Sequence, residues 1–535
     1  MNIFSFSPFG YEGAVVTVEV DLRRGIPAVD IVGLADGAVK ESRERMQAAI
    51  RNSGFEFPPE RVLISLSPAD LKKEGAGFDL PVALGVLTAK AELLGEEDFI
   101  SESLLIMGEL ELSGNIRPVK GVNAAVSTAS SMGIKYAIVP KQNAEEAREV
   151  SGIKVFGADC LINAYNALKD KSLFSERSTK KLNSDIIETG FLPEGVECVN
   201  KVYFQGTSSE YEFADIKGQY QLIRGLQIAA AGGHNFIAMG APGCGKTMAI
   251  QKFPAILPLL TLEEAQSVTR IWSLAGLINP NEPLIRIPPF RMPHQTASIE
   301  GICGGGTNCR PGEISLAHNG VLFLDEAAEF KTSVLQMLRV PLESGTVTLS
   351  RAGRSTTYPA SFQLMMAVNP CPCGNFGSKT KICLCSAKSI EQYWRKFSAP
   401  LLDRIDLRVF VENNSGDMED KLNGELYDNE RTALRTTLEI RKGVATAVNI
   451  QRKREVRNCK LTPQLIEKYC QLSQEAEKVL NNSINRYGFS PRAISSCLKT
   501  ARTIADIAGE ECIQTEHIRE AIEYRKLCCN MIPEL

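Results

Sequence analysis

The sequence predicts an α/β fold built on a parallel β-sheet, with an α+β unit before it and a helical unit after it. Three almost entirely apolar runs, at residues 235–239, 321–324 and 363–368, are separated by helical patterns. Apolar runs of this length that alternate with helices are typical of buried parallel strands. Before them, strand-like runs at 14–20, 62–66 and 136–139 mix with amphipathic stretches. After them, helical patterns near 462–480, 490–509 and 515–524 predict a small helical bundle.

The length of the chain indicates several domains. Its 535 residues exceed what one hydrophobic core supports, and about 150 residues per domain suggests roughly three. Composition shifts place the boundaries in this order: an N-terminal domain at 1–169, a linker at 170–214, a central domain at 215–411, a connector at 412–455 and a helical domain at 456–535. The linker is rich in Lys, Ser, Asn and Gly, and the connector begins with an acidic, Asn-rich stretch.

The charge balance excludes a strong electrostatic field around the protein as a whole. Lys and Arg number 60 and Asp and Glu 63, a net charge of −3, so any contact with nucleic acid depends on local patches. No apolar run approaches the roughly 20 residues of a membrane helix, and the first residues lack a basic secretory start. We expect a cytoplasmic chain without a membrane segment, whose 15 cysteines are mostly reduced.

A phosphate-binding loop follows the first apolar run. A strand, a glycine-rich loop ending in Lys246 and Thr247, and a helix follow one another, which is the context that confirms a P-loop. Backbone N–H groups would face the phosphates, Lys246 would reach the β and γ phosphates, and Thr247 would ligate Mg²⁺. A simple glycine-rich turn is the alternative. The predicted ATP-binding residues are Gly240, Ala241, Pro242, Gly243, Cys244, Gly245, Lys246, Thr247 and Asp325.

Two acidic residues follow the second apolar run. Residues 321–324 would form a strand whose carboxyl end delivers Asp325 and Glu326 to the ligand edge of the sheet. Asp325 would hold Mg²⁺ through water, and Glu326 would orient and deprotonate the attacking water. Such a strand end is weak evidence alone, but its position after a P-loop favours this interpretation.

The third apolar run ends at Asn369. A polar side chain there can lie beside the γ-phosphate and the attacking water, so we assign Asn369 as a sensor of the nucleotide. The alternative is an Asn that begins a turn before Pro370. The order of the three strand ends along the chain favours the sensor.

Four cysteines at short spacing follow the sensor. They form two Cys-x-Cys pairs across a loop: Cys371, Cys373, Cys383 and Cys385. Four thiolates suit tetrahedral Zn²⁺, although Cys-x-x-Cys pairs are commoner, and reduced loop cysteines remain an even alternative. Bound metal would fix the loop directly after Asn369.

These residues belong to a wider pattern that resembles the magnesium-chelatase-like AAA+ ATPases of the ComM/YifB family over nearly the whole chain. The stretches that carry the resemblance are Ile216-Lys-Gly-Gln219, Ala229-Ala-Ala-Gly-Gly-His234, Phe290-Arg-Met-Pro-His-Gln-Thr-Ala-Ser298, residues 310–326 and Leu401-Leu-Asp-Arg-Ile-Asp406. The resemblance implies a hexameric ring with ATP between subunits, a C-terminal helical lid and, for ComM, a DNA helicase that drives branch migration during natural transformation.

The resemblance also assigns arginines. Arg404 would be the arginine finger that reaches the ATP of the neighbouring subunit, and Arg492 the second sensor; solvated arginines at helix ends are the alternative. Residues 346–361 alternate like a hairpin that would point into the ring pore. Arg351 and Arg354 beside its tip would contact a phosphate backbone, or would flank a solvated turn.

The N-terminal domain resembles the proteolytic domain of Lon, a ribosomal S5 domain 2-like α+β fold. Residues 72–84 and 108–121 match its two signature stretches. Gly77 stands where Lon has its serine and Asn123 where it has its lysine, and a Ser-Lys dyad requires both. This implies a non-proteolytic scaffold or DNA-binding platform.

We therefore predict an ATP-hydrolysing hexameric AAA+ motor that acts on single-stranded or branched DNA, as in branch migration during recombination or natural transformation. The alternative is a chelatase-type ATPase that remodels a metal-inserting partner; the resemblance disfavours it because chelatase motor subunits typically lack the Lon-like domain. An ATP-dependent protease is disfavoured by the missing dyad, and a nucleotide-switched scaffold by the presence of Glu326.

Overall fold

The structure is a computed structural model that describes residues 2–33, 37–69, 71, 73, 75–95, 99–176, 195–208, 211–216, 218–306, 309–351, 354–377, 381–411 and 436–526. Within these ranges, two sheets have more than two strands. One lies in the N-terminal third of the chain and the other in the central part. No helix in the described ranges is both long and apolar enough to cross a membrane.

The N-terminal sheet is mixed. Its region contains β1 (Ile3–Ser7), β2 (Ala14–Arg23), β3 (Val29–Val32), β4 (Arg61–Ser67), β5 (Leu104–Ile106), β6 (Glu109–Leu110), β7 (Ile116–Arg117), β8 (Tyr136–Pro140) and β9 (Lys154–Ala158). The strand order is β3-β4-β2-β1-β5-β8-β9, with β6 and β7 in a separate ribbon. β2 pairs antiparallel with β1 and β4, and the other neighbours are parallel. The strands predicted at 14–20, 62–66 and 136–139 are confirmed.

Helices cover this sheet. They are Gly37–Asn52, Asp79–Leu93, Val122–Ser131, Ala144–Arg148 and Leu161–Ala167. The helix Asp79–Leu93 is apolar almost all round, and its middle is fully buried against the strands. A helix of this composition is stable only inside a core. The N-terminal region therefore has its own hydrophobic core.

The central sheet is parallel, as the sequence predicts. The strands of this region are β10 (Val196–Val199), β11 (Val202–Gln205), β12 (Phe236–Gly240), β13 (Phe290–Arg291), β14 (Gly304–Gly305), β15 (Arg310–Pro311), β16 (Val321–Leu324), β17 (Thr346–Arg351), β18 (Arg354–Pro359), β19 (Gln363–Val368) and β20 (Leu407–Val411). The sheet order is β13-β16-β19-β12-β20, and every pair is parallel. β12, β16 and β19 are buried throughout, which explains their apolar sequences.

Helices pack around the central sheet and continue to the C-terminal region. They are Tyr220–Gly232, Lys246–Gln251, Leu262–Ala275, Ile299–Cys303, Glu313–Leu316, Thr332–Met337, Pro341–Ser344, Ala387–Trp394, Ala399–Leu402, Thr437–Lys453, Pro463–Tyr469, Gln474–Tyr487, Pro491–Ala508 and Thr515–Lys526. A single hydrophobic cluster joins one face of the sheet to the C-terminal helices.

Two segments assigned to the linker and connector belong to this core. β10 and β11 form an antiparallel hairpin whose Phe204 is fully buried. The helix Thr437–Lys453 buries one apolar face, and its Arg441 pairs with Glu197 at 2.5 Å. Each strand of this hairpin has only four residues. An alternation of apolar and polar residues over so short a run does not distinguish a strand from a linker in the sequence. The acidic stretch 412–430 lies outside the described residues.

The helix predicted at 462–480 is wrong in one respect, because the chain forms two helices there. Pro463–Tyr469 ends before a break, and Gln474–Tyr487 begins at Ser473, whose hydroxyl accepts the backbone N–H of Ala476 at 3.3 Å. Serine caps helices well and so favours a new start. The helices predicted at 490–509 and 515–524 are confirmed as Pro491–Ala508 and Thr515–Lys526.

Candidate nucleotide-binding site

The P-loop connects β12 to the helix Lys246–Gln251, as predicted. Gly243 and Gly245 have φ angles of +82° and +86°, a region that only glycine occupies without strain. A side chain on Gly240 would meet the Val411 carbonyl oxygen at 2.3 Å. These positions therefore require glycine, which leaves the loop backbone open to a ligand.

The Lys246 ammonium, at the end of the P-loop, bonds back to the first residues of that loop. It donates to the carbonyl oxygens of Gly240 at 2.7 Å and Ala241 at 2.8 Å. It also donates to Asn369 Oδ1 at 3.3 Å. β19 runs parallel to β12 with Val368 opposite Met239, so Asn369 emerges beside the loop. The structure thus brings the predicted sensor to the predicted phosphate-binding lysine.

Thr247 and Asp325 also meet. The Thr247 hydroxyl donates to Asp325 Oδ1 at 3.0 Å, and the Glu326 backbone N–H donates to the same oxygen at 3.0 Å. Hydroxyl and carboxylate oxygens are the ligands that Mg²⁺ prefers, together with water. The donor set of Thr247 and Asp325 therefore fits Mg²⁺.

Glu326 adopts a strained backbone. Its φ angle is +48°, which is uncommon for a residue other than glycine. Such strain costs about 1–3 kcal/mol and persists where the surroundings enforce it, often at functional sites. The Glu326 side chain is exposed next to the buried end of β16, where solvent water can reach its carboxylate.

Arg404 and Arg492 share one carboxylate. Arg404 donates to Glu343 and, at 2.6 Å, to the Pro400 carbonyl oxygen, and Arg492 donates to Glu343 at 3.3 Å. The Arg404 hydrogen bond lowers the pKa of the Glu343 carboxyl. Within the described residues, none of these hydrogen bonds reaches the P-loop. The structure therefore brings the two arginines together, but not to the phosphate-binding residues of their own chain.

A buried polar cluster, which no single sequence motif predicts, holds the segment next to Arg404 in place. His234 is fully buried, and its ring nitrogens lie 3.3 Å from Asp406 Oδ2 and 2.7 Å from Thr503 Oγ1. Ser496 donates to Asp406 at 2.6 Å. His234 and Asp406 lie in two of the motif stretches quoted above, which is the signal that could have linked them. The cluster ties the Arg404 segment to the helix Pro491–Ala508.

The four cysteines converge. The sulfur of Cys371 lies 3.3 Å from that of Cys373 and 3.7 Å from that of Cys383, and the Cys373 and Cys383 sulfurs are 3.6 Å apart. All four sulfurs, with Cys385, lie within 4.8 Å of one another. A tetrahedron with zinc–sulfur bonds of about 2.3 Å has sulfurs about 3.8 Å apart. The cluster therefore fits a tetrahedral metal ion.

Backbone donors support the same cluster. The Phe376 N–H donates to Cys371 Sγ at 3.4 Å. The Asn375 backbone N–H and the neighbouring Cys371 lower the pKa of Cys373 to about 6. At Cys383 and Cys385 the backbone hydrogen bonds are instead outweighed by desolvation and by hydrogen bonds with the other cysteines, so the pKa values of both are raised. Thiolate is the form that binds metal, so Cys373 is the cysteine whose pKa favours ligation.

The positions of the Lon dyad carry no nucleophile here. Gly77 lies in a short turn. Asn123 lies in the first turn of the helix Val122–Ser131, and its backbone N–H donates to Glu146 at 3.0 Å and to Ser273 Oγ at 3.3 Å. Ser273 belongs to the helix Leu262–Ala275 and donates to Glu146. The position of the Lon lysine thus joins the N-terminal region to the central one.

The predicted hairpin at 346–361 is present. β17 and β18 pair antiparallel, with Arg351 opposite Arg354, and residues 352 and 353 at the tip lie outside the described residues. The Tyr11 backbone N–H donates to Thr356 Oγ1 at 3.3 Å. The hairpin therefore contacts the N-terminal region through the middle of β18.

A cavity of about 1380 Å³ opens beside the P-loop helix. Met248 and Gln251 line one side of it, and Trp272 and Phe290 line another. Lys246, Thr247, Asp325 and Asn369 do not line it. It is therefore adjacent to the phosphate-binding residues and separate from them.

The parallel sheet, the P-loop and the acidic strand end define an AAA+ ATPase core. Three family models match the chain: "Magnesium chelatase, subunit ChlI" at residues 212–418, "Subunit ChlI of Mg-chelatase" at 18–143 and "Magnesium chelatase, subunit ChlI C-terminal" at 435–525. An AAA+ ATPase core of this family implies binding of ATP and Mg²⁺.

Relatives that match nearly the whole chain identify the family more narrowly. The chain is 37% identical to "Competence protein ComM" of Haemophilus influenzae over 98% of this chain and 97% of that one. It is 36% identical to "Uncharacterized protein YifB" of Escherichia coli over 97% and 95%. The chain belongs to the ComM/YifB family of magnesium-chelatase-like proteins.

A weaker similarity relates part of the chain to a protease. "Lon protease 4" of Sorangium cellulosum is 26% identical over 149 residues, or 27% of this chain and 18% of that one. A similarity to Lon in part of the chain is consistent with the predicted Lon resemblance.

Proposed function

We propose that this chain is an ATP-hydrolysing AAA+ motor that acts on DNA as a hexamer, with branch migration in recombination or natural transformation as its task. The contact between Lys246 and Asn369, beside that between Thr247 and Asp325, carries the ATPase part of the proposal. Together these two contacts join the proposed phosphate-binding Lys246, the proposed sensor Asn369 and the proposed Mg²⁺ ligands Thr247 and Asp325.

Each residue has a role in this proposal. Lys246 binds the β and γ phosphates, and Thr247 and Asp325 hold Mg²⁺, which neutralises charge on the transferred phosphoryl group. Glu326 orients the attacking water and accepts its proton. Asn369, which lies beside Lys246, would contact the γ-phosphate and that water.

The hexamer is supported by the placement of the arginines. Arg404 and Arg492 both bond to Glu343 and not to the P-loop of their own chain. Hydrolysis is accelerated when an arginine neutralises charge on the γ-phosphoryl group. We therefore propose that Arg404 acts on ATP bound to the neighbouring subunit, with Arg492 beside it.

Two features support DNA as the substrate. One relative carries the name competence protein ComM. The hairpin of β17 and β18 brings Arg351 and Arg354 to paired positions beside its tip, where two cations suit a phosphate backbone in a pore. Single-stranded or branched DNA is the proposed partner, and the cytoplasm the proposed location.

Comparing ATP hydrolysis with and without DNA tests the substrate. We expect single-stranded or branched DNA to stimulate the rate, and stimulation should fall as salt rises, because phosphate contacts release counterions. Arg351→Ala with Arg354→Ala should remove stimulation and leave the basal rate. A basal rate that no DNA form changes would contradict the DNA proposal and leave the ATPase proposal intact.

A chelatase-type ATPase that remodels a metal-inserting partner is the second candidate. The three matching families, all named after a magnesium chelatase subunit, favour it. The resemblance implies that chelatase motor subunits typically lack the Lon-like domain, which favours the DNA motor. The model described as "Subunit ChlI of Mg-chelatase" nevertheless matches residues 18–143, so this region alone does not decide between the two candidates. If DNA does not stimulate ATP hydrolysis, the chelatase-type ATPase becomes the favoured candidate.

We also propose that Zn²⁺ occupies the four-cysteine cluster. The sulfur spacing of 3.3–3.7 Å between Cys371, Cys373 and Cys383 supports it, together with the fourth sulfur of Cys385. Four thiolates complete a tetrahedral shell, so this is a closed, structural site rather than a catalytic one.

A further inference from the structure

The four-cysteine loop contacts the P-loop. We call residues 371–377 and 381–385 the cysteine knuckle. Its Gly374 has a φ angle of +77°, and a side-chain carbon there would lie 2.5 Å from Cδ of Pro242. Glycine therefore allows the knuckle to pack directly on the proline in the middle of the P-loop.

The knuckle also fixes the sensor. Cys371 follows Asn369 by two residues and is fully buried. Between them, the Pro370 carbonyl oxygen accepts the indole N–H of Trp394 at 3.1 Å. Since Asn369 bonds to Lys246 at 3.3 Å, the knuckle is joined to the P-loop at two places: through Pro242 in the loop and through Lys246 at its end.

The two halves of the knuckle differ in what stabilises them. In the first half the Gly374 N–H donates to the Cys371 carbonyl oxygen at 2.9 Å, which forms a turn around Cys373. In the second half, Ile382 and Leu384 are 83% and 90% exposed. These aliphatic side chains do not pack into the core, whereas the sulfurs of Cys383 and Cys385 lie beside those of the first half. Metal ligation would therefore join the two halves.

We propose that the metal-bound cysteine knuckle positions the P-loop and Asn369 for ATP, so that the four cysteines are positioning residues of the nucleotide site. This inference rests on the proposed ATP and Zn²⁺ binding. Metal ligation fixes the turn that carries Gly374 and holds it against Pro242. Without metal, thiols form only weak hydrogen bonds, and the P-loop loses one of its supports.

The first test measures affinity for a fluorescent ATP analogue on the full-length chain. The metal is removed with a chelator under reducing conditions, and Zn²⁺ or Co²⁺ is then restored. We expect affinity to fall by about tenfold or more, on the scale seen when the supports of a site are removed, and to recover with either metal. Co²⁺ should also give the visible absorption of tetrahedral cobalt–thiolate.

Substitutions separate positioning from folding. Cys373→Ser should lower both metal content and nucleotide affinity, whereas Cys198→Ser, at an exposed cysteine outside the cluster, should change neither. Gly374→Ala keeps all four thiols, so it should retain the metal and still weaken ATP binding, because the added carbon meets Pro242. If circular dichroism shows that the metal-free chain is unfolded, its lower affinity is uninformative. The comparison of Gly374→Ala with the parent chain then tests the inference.

Three results would overturn the inference: a purified chain without metal, a metal-free folded chain with unchanged affinity, or a metal-loaded Gly374→Ala with unchanged affinity. Failure of the metal-loaded parent chain to bind the analogue would instead contradict the proposed ATPase. The two failures are therefore distinguishable.

Discussion

The ammonium nitrogen of Lys246 lies 3.3 Å from the side-chain oxygen of Asn369. The contact exists because β12 and β19 are parallel neighbours whose carboxyl ends meet at one edge of the sheet. A γ-phosphate bound by Lys246 would therefore lie within reach of Asn369. This contact joins the P-loop to the strand from which hydrolysis would be sensed.

Lys246 and Glu326 should separate binding from hydrolysis. Lys246→Ala removes a charged hydrogen bond to phosphate worth about 1.5–3 kcal/mol, so ATP should bind roughly 10- to 150-fold more weakly. Glu326→Gln should keep the affinity and lose about 10²–10⁴ in hydrolysis rate, the usual contribution of a general base. Equilibrium binding and single-turnover hydrolysis measure the two effects. Normal turnover by Glu326→Gln would show that Glu326 does not activate the attacking water.

Arg404 should act on the neighbouring subunit. An arginine finger contributes about 10³–10⁵ in rate, so Arg404→Ala rings should be almost inactive. Mixing them equally with Lys246→Ala chains should restore some hydrolysis, because some interfaces receive an intact P-loop and an intact finger.

Subunit exchange must be verified first, for example by energy transfer between labelled chains. Mixed rings with no more activity than the separate variants would show that Arg404 is not the finger, and Arg492 would be tested next. Its shared contact with Glu343 makes it the nearest candidate.

Asp406 should stabilise the fold near neutral pH. Burial opposes its ionisation, but hydrogen bonds from His234 and Ser496 lower the pKa of Asp406 overall. A carboxyl with a lowered folded pKa contributes stability above its unfolded pKa of about 3.9 and loses it as the pH falls through the folded value.

Asp406→Asn should therefore lower the free energy of unfolding by about 1–3 kcal/mol at pH 7, and the difference from the parent should shrink below about pH 4. Urea unfolding across this pH range measures it. Asp30→Asn, in an exposed pair with Arg61, is the matched control and should change stability by less than about 1 kcal/mol. Equal effects of the two substitutions would argue against the role of the buried cluster.

The cysteine cluster should contain metal without any being added. Elemental analysis of the purified chain should give about one zinc per chain. The variant with serine at positions 373 and 383 should give none, whereas Cys512→Ser should retain it. A parent chain that is folded but contains no zinc would contradict the proposed Zn²⁺ binding.

Local motifs explain which parts the sequence could predict. Gly240 to Thr247, Asp325 and Asn369 each follow an apolar strand directly, so parallel pairing alone brings them to one edge. Glu343 could not be predicted as the partner of Arg404 and Arg492, which lie 61 and 149 residues away in sequence. An exposed Glu on a short helix has no local pattern that indicates such partners.

The same limit applies to the buried polar cluster and the short hairpin. His234 and Thr503 are 269 residues apart, and only the packing of the C-terminal helices on the central sheet brings them together. Phe204 is buried because the helix Thr437–Lys453 covers β11. Such contacts between distant segments depend on the whole fold, whereas the motifs depend on a few adjacent residues.

Branch migration on a mobile four-way DNA junction tests the central proposal most directly. Labelled junctions are incubated with the chain and ATP, and the duplex products are separated on a native gel. We predict ATP-dependent conversion of the junction by the parent chain and none by Glu326→Gln, which should still bind ATP and DNA. A parent chain that hydrolyses ATP at a rate unaffected by DNA and leaves the junction intact would contradict the account.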